Sequence, residues 1–184
     1  MRRYPQKEKK MFKKTPTPKN KAAKISAALA VAGGALVFIL TTAVKDIPFP
    51  GVAQFIGLLL IAYAVYVAGA YLLRSYTFII EPTDDDDAEL DHDLIINEQR
   101  GKRVLKVCHV SVKKIEFIRI VDSQNKKEVS KDRKAKDKYT YDAQFAAAKR
   151  LEIAIKSGGE EASMLVTYDD ELIQALLTVG VRKI

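Results

Sequence analysis

The chain has 184 residues, 48% of them hydrophobic, and a net charge of +8. Its one cysteine, Cys108, excludes an intramolecular disulfide and any multi-cysteine zinc or iron–sulfur site. The charge is unevenly spread: residues 1–24 carry +9, residues 25–74 carry +1 and residues 75–184 carry −2. Nucleic-acid binding calls for a basic face on a folded module, so this distribution argues against it.

Residues 1–24 are rich in Lys and Arg, broken by Pro5, Pro16 and Pro18, and nearly free of apolar residues beyond Met11 and Phe12. Such a stretch buries too little surface to offset its ordering entropy, and reads as a disordered tail. Residues 25–74 hold two charge-free apolar runs, Ile25 to Val44 and Gly51 to Leu73. About 20 helical residues span a bilayer core of about 30 Å, so each run is long enough to cross. The break Lys45-Asp46-Ile47-Pro48-Phe49-Pro50 is short, which requires antiparallel helices. The expectation is a transmembrane hairpin in the cytoplasmic membrane. A basic segment beside a span is retained on the cytoplasmic side, which places both termini there. A cleaved signal peptide is the alternative, but the first run exceeds the usual 7–15 apolar residues and a second run follows.

Small residues recur at four-residue spacing: Ala30 and Gly34, Ala53 and Gly57, Ala64 and Ala68. Such faces admit close backbone approach. They fit either packing of the two helices on each other or a seam between two copies of the chain. Gln54 is the strongly polar residue inside the runs. No ionisable residue falls near the midplane, which disfavours a pore or carrier. Tyr63, Tyr66 and Tyr71 read as interfacial or lipid-facing anchors.

From Ser75 the apolar period becomes two, the mark of half-buried strands. Seven strands are expected: Ser75 to Glu81, one around Leu94 to Asn97, Arg103 to Val110, Ile115 to Val121, Tyr139 to Phe145, Leu151 to Ile155, and Ala162 to Thr167. Lys106 and Arg119 interrupt the apolar faces of the third and fourth. Asp169-Asp170-Glu171 opens a final helix with acid where the helix dipole favours it, and Gly180 ends it. Seven antiparallel strands followed by one helix, with the helix entered at Tyr168-Asp169-Asp170-Glu171-Leu172, resemble the pleckstrin-homology (PH) superfold. The whole chain resembles small bacterial membrane proteins in which a transmembrane hairpin runs into a PH-like cytoplasmic domain at residues 75–184. That resemblance implies an α+β domain, one bent seven-stranded antiparallel sheet capped by the C-terminal helix. It also implies a binding or scaffolding module without catalysis or cofactor.

Chemistry-bearing residues are sparse. Asp84 to Asp87, Glu89, Asp91, His92 and Asp93 crowd one loop; a hard cation could be held there, but the glycine of an EF-hand loop is missing and a solvated, self-repelling loop is the plainer reading. Cys108 and His109 are strand neighbours, so they point to opposite faces and cannot form a nucleophile pair. Arg100, Lys102 and Arg103 form a basic turn, and Lys126, Lys127, Lys131, Arg133, Lys134, Lys136 and Lys138 form a basic connection. Counting strand directions puts both on the membrane side, where each nearby cation is worth about 1 kcal/mol on an anionic leaflet. Glu160 and Glu161 sit on that side too and oppose it. The expected partners are therefore the bilayer, its anionic headgroups and a protein, which could be a second copy. Three functions fit the residues: a membrane-anchored interaction module, an accessory subunit of a transport or cell-envelope complex, and, more weakly, a hydrolase with an unusual site.

Overall fold

The computed structural model describes residues 12–17, 20–44, 48–83, 91–122, 124–125, 137–157 and 159–184. The acidic residues 84–90 and the basic residues 126–136 lie outside that set, as does the centre of the interhelical break. The chain divides into two units: the helices with residues 143–146, and the strands with residues up to 17.

In the helical unit α1 spans Lys21–Ala43 and α2 spans Pro50–Val67, continued by a π-helical turn over Ala68–Leu72. The first helix starts four residues before the apolar run because Lys21, Ala22, Ala23 and Lys24 are themselves good helix formers. Pro50 opens α2, where a missing N–H costs nothing, and Phe49 enters it with a left-handed φ of 56°. The hydroxyls of Thr41 and Thr42 donate back to Val37 and Phe38 carbonyls, so neither needs water. Asn20, 6% exposed, precedes α1 and acts as a hub. Its amide donates to the Tyr71 carbonyl and, at 2.7 Å, to the Ala143 carbonyl, while its Oδ1 accepts from Phe145 N at 3.0 Å. The Tyr71 and Phe145 rings meet edge to face at 5.1 Å.

The strand unit departs from a single seven-stranded sheet. Among the described residues there are eight strands in two four-stranded sheets. The first sheet runs β1 (Phe12–Lys14), β2 (Arg74–Pro82), β3 (His92–Arg100) and β4 (Arg103–Ser111). The tail residues expected to be disordered supply β1, which lies antiparallel on β2 with Lys13 opposite Ile79. Three ladder positions order this piece, helped by Thr15 and Thr77 hydroxyls at 2.7 Å and by Lys14 on Glu171 at 2.6 Å. A 3-10 turn at Val112–Lys114 leads to β5 (Ile115–Asp122). The second sheet is ordered β5, β7 (Lys149–Ser157), β8 (Glu160–Thr167), β6 (Asp137–Tyr141).

Here β6 runs parallel to β8, against the expectation of antiparallel strands throughout. It also ends at Tyr141, four residues short of the alternation Tyr139 to Phe145. Ala143 and Phe145 are apolar because they pack in the helical unit, and Ala146 turns the chain with a φ of 52°. Phe78, Leu94 and Ile96 of the first sheet and Ile118, Leu151, Ile153, Met164 and Val166 of the second are buried, with Leu172 and Leu176 of α3 (Asp170–Thr178). The Asp169 carboxylate caps α3 by accepting from Leu172 N at 3.0 Å. Gly180, at a φ of 92°, closes it with Val181 N bonded to the Leu176 carbonyl. The last residues then run along β5, where Ile118 bonds Arg182 and Ile184 through its backbone.

Candidate functional site

The dominant surface is that of the helix pair. Gly34 and Gly57 back onto one another so closely that a Cβ on Gly34 would stand 2.8 Å from the Gly57 carbonyl oxygen. Ala30 and Ala64 are buried as well, while Ala53 and Ala68 are half-buried. The glycine contact is between the two helices of one chain, the arrangement in which small residues permit close packing. Ser26 and Tyr63 add an interhelical hydroxyl contact at 3.1 Å. Away from the seam the helices are bare: only 11% of the apolar span of α1 and 17% of that of α2 is buried. Leu29, Ile39, Phe55, Leu59 and Val65 are among the large apolar residues left exposed. Both helices are long and apolar enough to cross a membrane.

The second surface is the tip of the β3–β4 hairpin. Gly101 turns it at a φ of 58°, and Arg100, Lys102, Arg103 and Lys106 are all exposed around it. The Arg100 guanidinium donates to Glu98 at 2.5 Å, and that hydrogen bond raises its pKa. Of the second basic segment only Lys138 is described; it is exposed on β6. Lys126, Lys127, Lys131, Arg133, Lys134 and Lys136 fall outside the described residues.

The third feature, which the sequence does not reveal, is a polar cluster on the second sheet. Glu152 is 1% exposed and stands directly across the ladder from Arg119. Arg119 donates to it through Nη2 at 2.8 Å and Nε at 3.1 Å, and Ser163 Oγ donates at 2.8 Å to the other carboxylate oxygen. Asp142 likewise accepts from Arg150 at 2.6 Å and Thr167 at 3.0 Å. Arg119 therefore interrupts its strand pattern because it has a carboxylate across the ladder. Every described oxygen of these carboxylates is engaged, which suits structure more than catalysis.

Cys108 is half-buried with its Sγ 3.5 Å from Met164 Sδ, and burial pushes its thiol pKa up, with Tyr141 lowering it in part. Tyr141 is itself pushed up to about 12, mainly by burial and then by Cys108. A thiol held protonated is a poor nucleophile. His109 faces outward and pairs with Asp93 at 3.0 Å, so it and Cys108 do not meet. Asp91 pairs with Lys113 at 2.5 Å. Among the described residues no three His, Cys, Asp or Glu side chains group as metal ligands.

No protein-family model matches the chain, and no curated protein or solved structure matches it.

Proposed function

We propose that α1 and α2 form a hairpin in the cytoplasmic membrane and that the β unit is a non-enzymatic binding or scaffolding module at its inner face. One observation carries this reading: two helices of 23 residues each, counting the π-helical turn, leave most of their apolar span uncovered. A helix of that composition in the core of a water-soluble fold would be covered by protein, whereas lipid needs no such cover. Sheet pairing supports an even number of crossings. Lys13 precedes α1, Ile79 follows α2, and the two share one ladder, so both belong on the same side of any bilayer the helices cross. The basic tail supports the cytoplasm as that side. A PH-like affiliation is supported by the order of elements from β2 to α3, with the parallel β6 as a departure from that pattern.

Two measurements test the reading. In a chain with Cys108→Ser, an impermeant maleimide added to intact cells should label Phe49→Cys and spare Gly180→Cys. The protein should also stay in the pellet on alkaline carbonate extraction. Labelling of Gly180→Cys from outside would overturn the topology, and release by carbonate would overturn the anchor.

A further inference from the structure

The β3–β4 tip carries apolar residues that its charge alone does not explain. Val104 is 60% exposed and Leu105 is 56% exposed. Neighbours in a strand point to opposite faces. Two large apolar neighbours both in the open leave both faces of β4 uncovered at that point, although Glu98, across the ladder from Leu105, is buried. From Gln99 to Lys106 the sequence is QRGKRVLK, four cations and no acid, with Arg100 held by Glu98 just outside that stretch. An aliphatic pair ringed by cations suits an anionic bilayer interface: the cations meet lipid phosphates and the aliphatics enter the acyl boundary. The tip lies at the end of the first sheet where β2 begins, because β3 returns beside β2 after the 83–91 connection. Gly101 keeps it tight, so insertion costs little ordering of the chain.

We infer that the tip is a second membrane contact, with Val104 and Leu105 inserting into an anionic leaflet and Arg100, Lys102, Arg103 and Lys106 binding its phosphates. The inference rests on the membrane reading of the helices. Unlike the expectation of a charged face, it assigns the contact to an apolar pair and requires burial in lipid, not mere proximity.

The chain contains no tryptophan, so one introduced residue reports alone. Leu105→Trp and, separately, Val65→Trp are made in the full chain. Each is reconstituted in nanodiscs of phosphatidylcholine, or of phosphatidylcholine with phosphatidylglycerol, with and without brominated acyl chains. Val65 is 68% exposed on α2, so V65W reads the helices alone. It should be quenched by bromolipid in both compositions. L105W should show blue-shifted emission and bromolipid quenching in the anionic discs only. Both signals should be lost when the four cations are changed together to Gln, with circular dichroism unchanged. Water-exposed, unquenched L105W beside quenched V65W overturns the tip contact and leaves the anchor standing. Unquenched V65W overturns the anchor instead. A blue shift of L105W that grows with protein per disc and ignores bromine means that a second copy covers the tip, which also overturns the lipid contact.

Discussion

Replacing Glu152 by Ala tests how the second sheet is held together. Glu152 is 1% exposed and accepts three hydrogen bonds, two of them from Arg119, whose side chain is 18% exposed. Removing the carboxylate leaves a mostly buried guanidinium without its ladder partner, and breaking one side of a buried pair costs about 3–5 kcal/mol. A domain of roughly 100 residues moves about 4–8 °C in melting temperature per kcal/mol, so even the lower figure means a fall of more than about 10 °C. The pair itself is a different quantity. Desolvating two charges offsets much of their attraction, so Arg119→Met with Glu152→Met should cost far less than Glu152→Ala alone. Thermal melts of the full chain in mild detergent, followed by far-UV circular dichroism, give the values for both variants and for Arg119→Met and Glu152→Met alone. The reasoning fails if Glu152→Ala lowers the melting temperature no more than an exposed substitution such as Glu116→Ala. It also fails if the double variant is as unstable as the sum of its single changes, since the cost would then lie in packing and not in the lost ion pair.

Three further outcomes follow. Gly33→Ala and Gly34→Ala should act in opposite directions: a Cβ on Gly33 meets Leu60 at an ordinary 3.6 Å and gains about 1 kcal/mol of helix propensity, whereas a Cβ on Gly34 collides at 2.8 Å with the Gly57 carbonyl oxygen and costs about 1–3 kcal/mol. Unfolding by graded SDS would measure both, and equal effects would refute the close seam. A fragment beginning at Ser75 leaves β2 without β1, so it should self-associate more, by sedimentation velocity, than one with residues 12–17 linked ahead of Arg74; indistinguishable behaviour would deny β1 its role. Tyr141 titrates near 12 in the folded chain against about 10 unfolded, so its stabilising effect is whole below pH 10 and is lost as pH rises toward 12. Because the side chain is partly exposed, solvent screening reduces this to about 1 kcal/mol, which Tyr141→Phe should remove from the alkaline limb of a pH–stability curve.

The helix pair was legible because charge-free runs of that length are rare in any other setting, and the strands from β2 to β8 were legible wherever one face is apolar and the other wet. The arrangement of strands was not. A local alternation says which residues point inward but not which strand lies beside which, so the two sheets and the parallel β6–β8 pair left no trace in it. Residues 12–14 escaped notice because a three-residue strand with Phe12 as its apolar residue has no period to detect. Glu152 is hidden for a related reason: between Leu151 and Ile153 the alternation sets it on the wet face, although it is buried against Arg119, a residue 33 positions away. The basic tip was visible as charge, but its apolar half was hidden within a strand whose exposure only the tertiary structure discloses.

The Asn20 hub has a consequence for how the sheet is completed. β1 and β2 are separated by the whole helical segment, and closing a flexible loop of that size costs roughly 3–4 kcal/mol. Three ladder pairs would struggle to repay this. The chain between them is not flexible, however. Two packed antiparallel helices bring their outer ends together, and Asn20 ties the entry of α1 to the Tyr71 carbonyl at the exit of α2, across 51 positions. Much of that closure cost is therefore met inside the helical unit, by helix packing and the Asn20 bond, and is not left to the three ladder pairs.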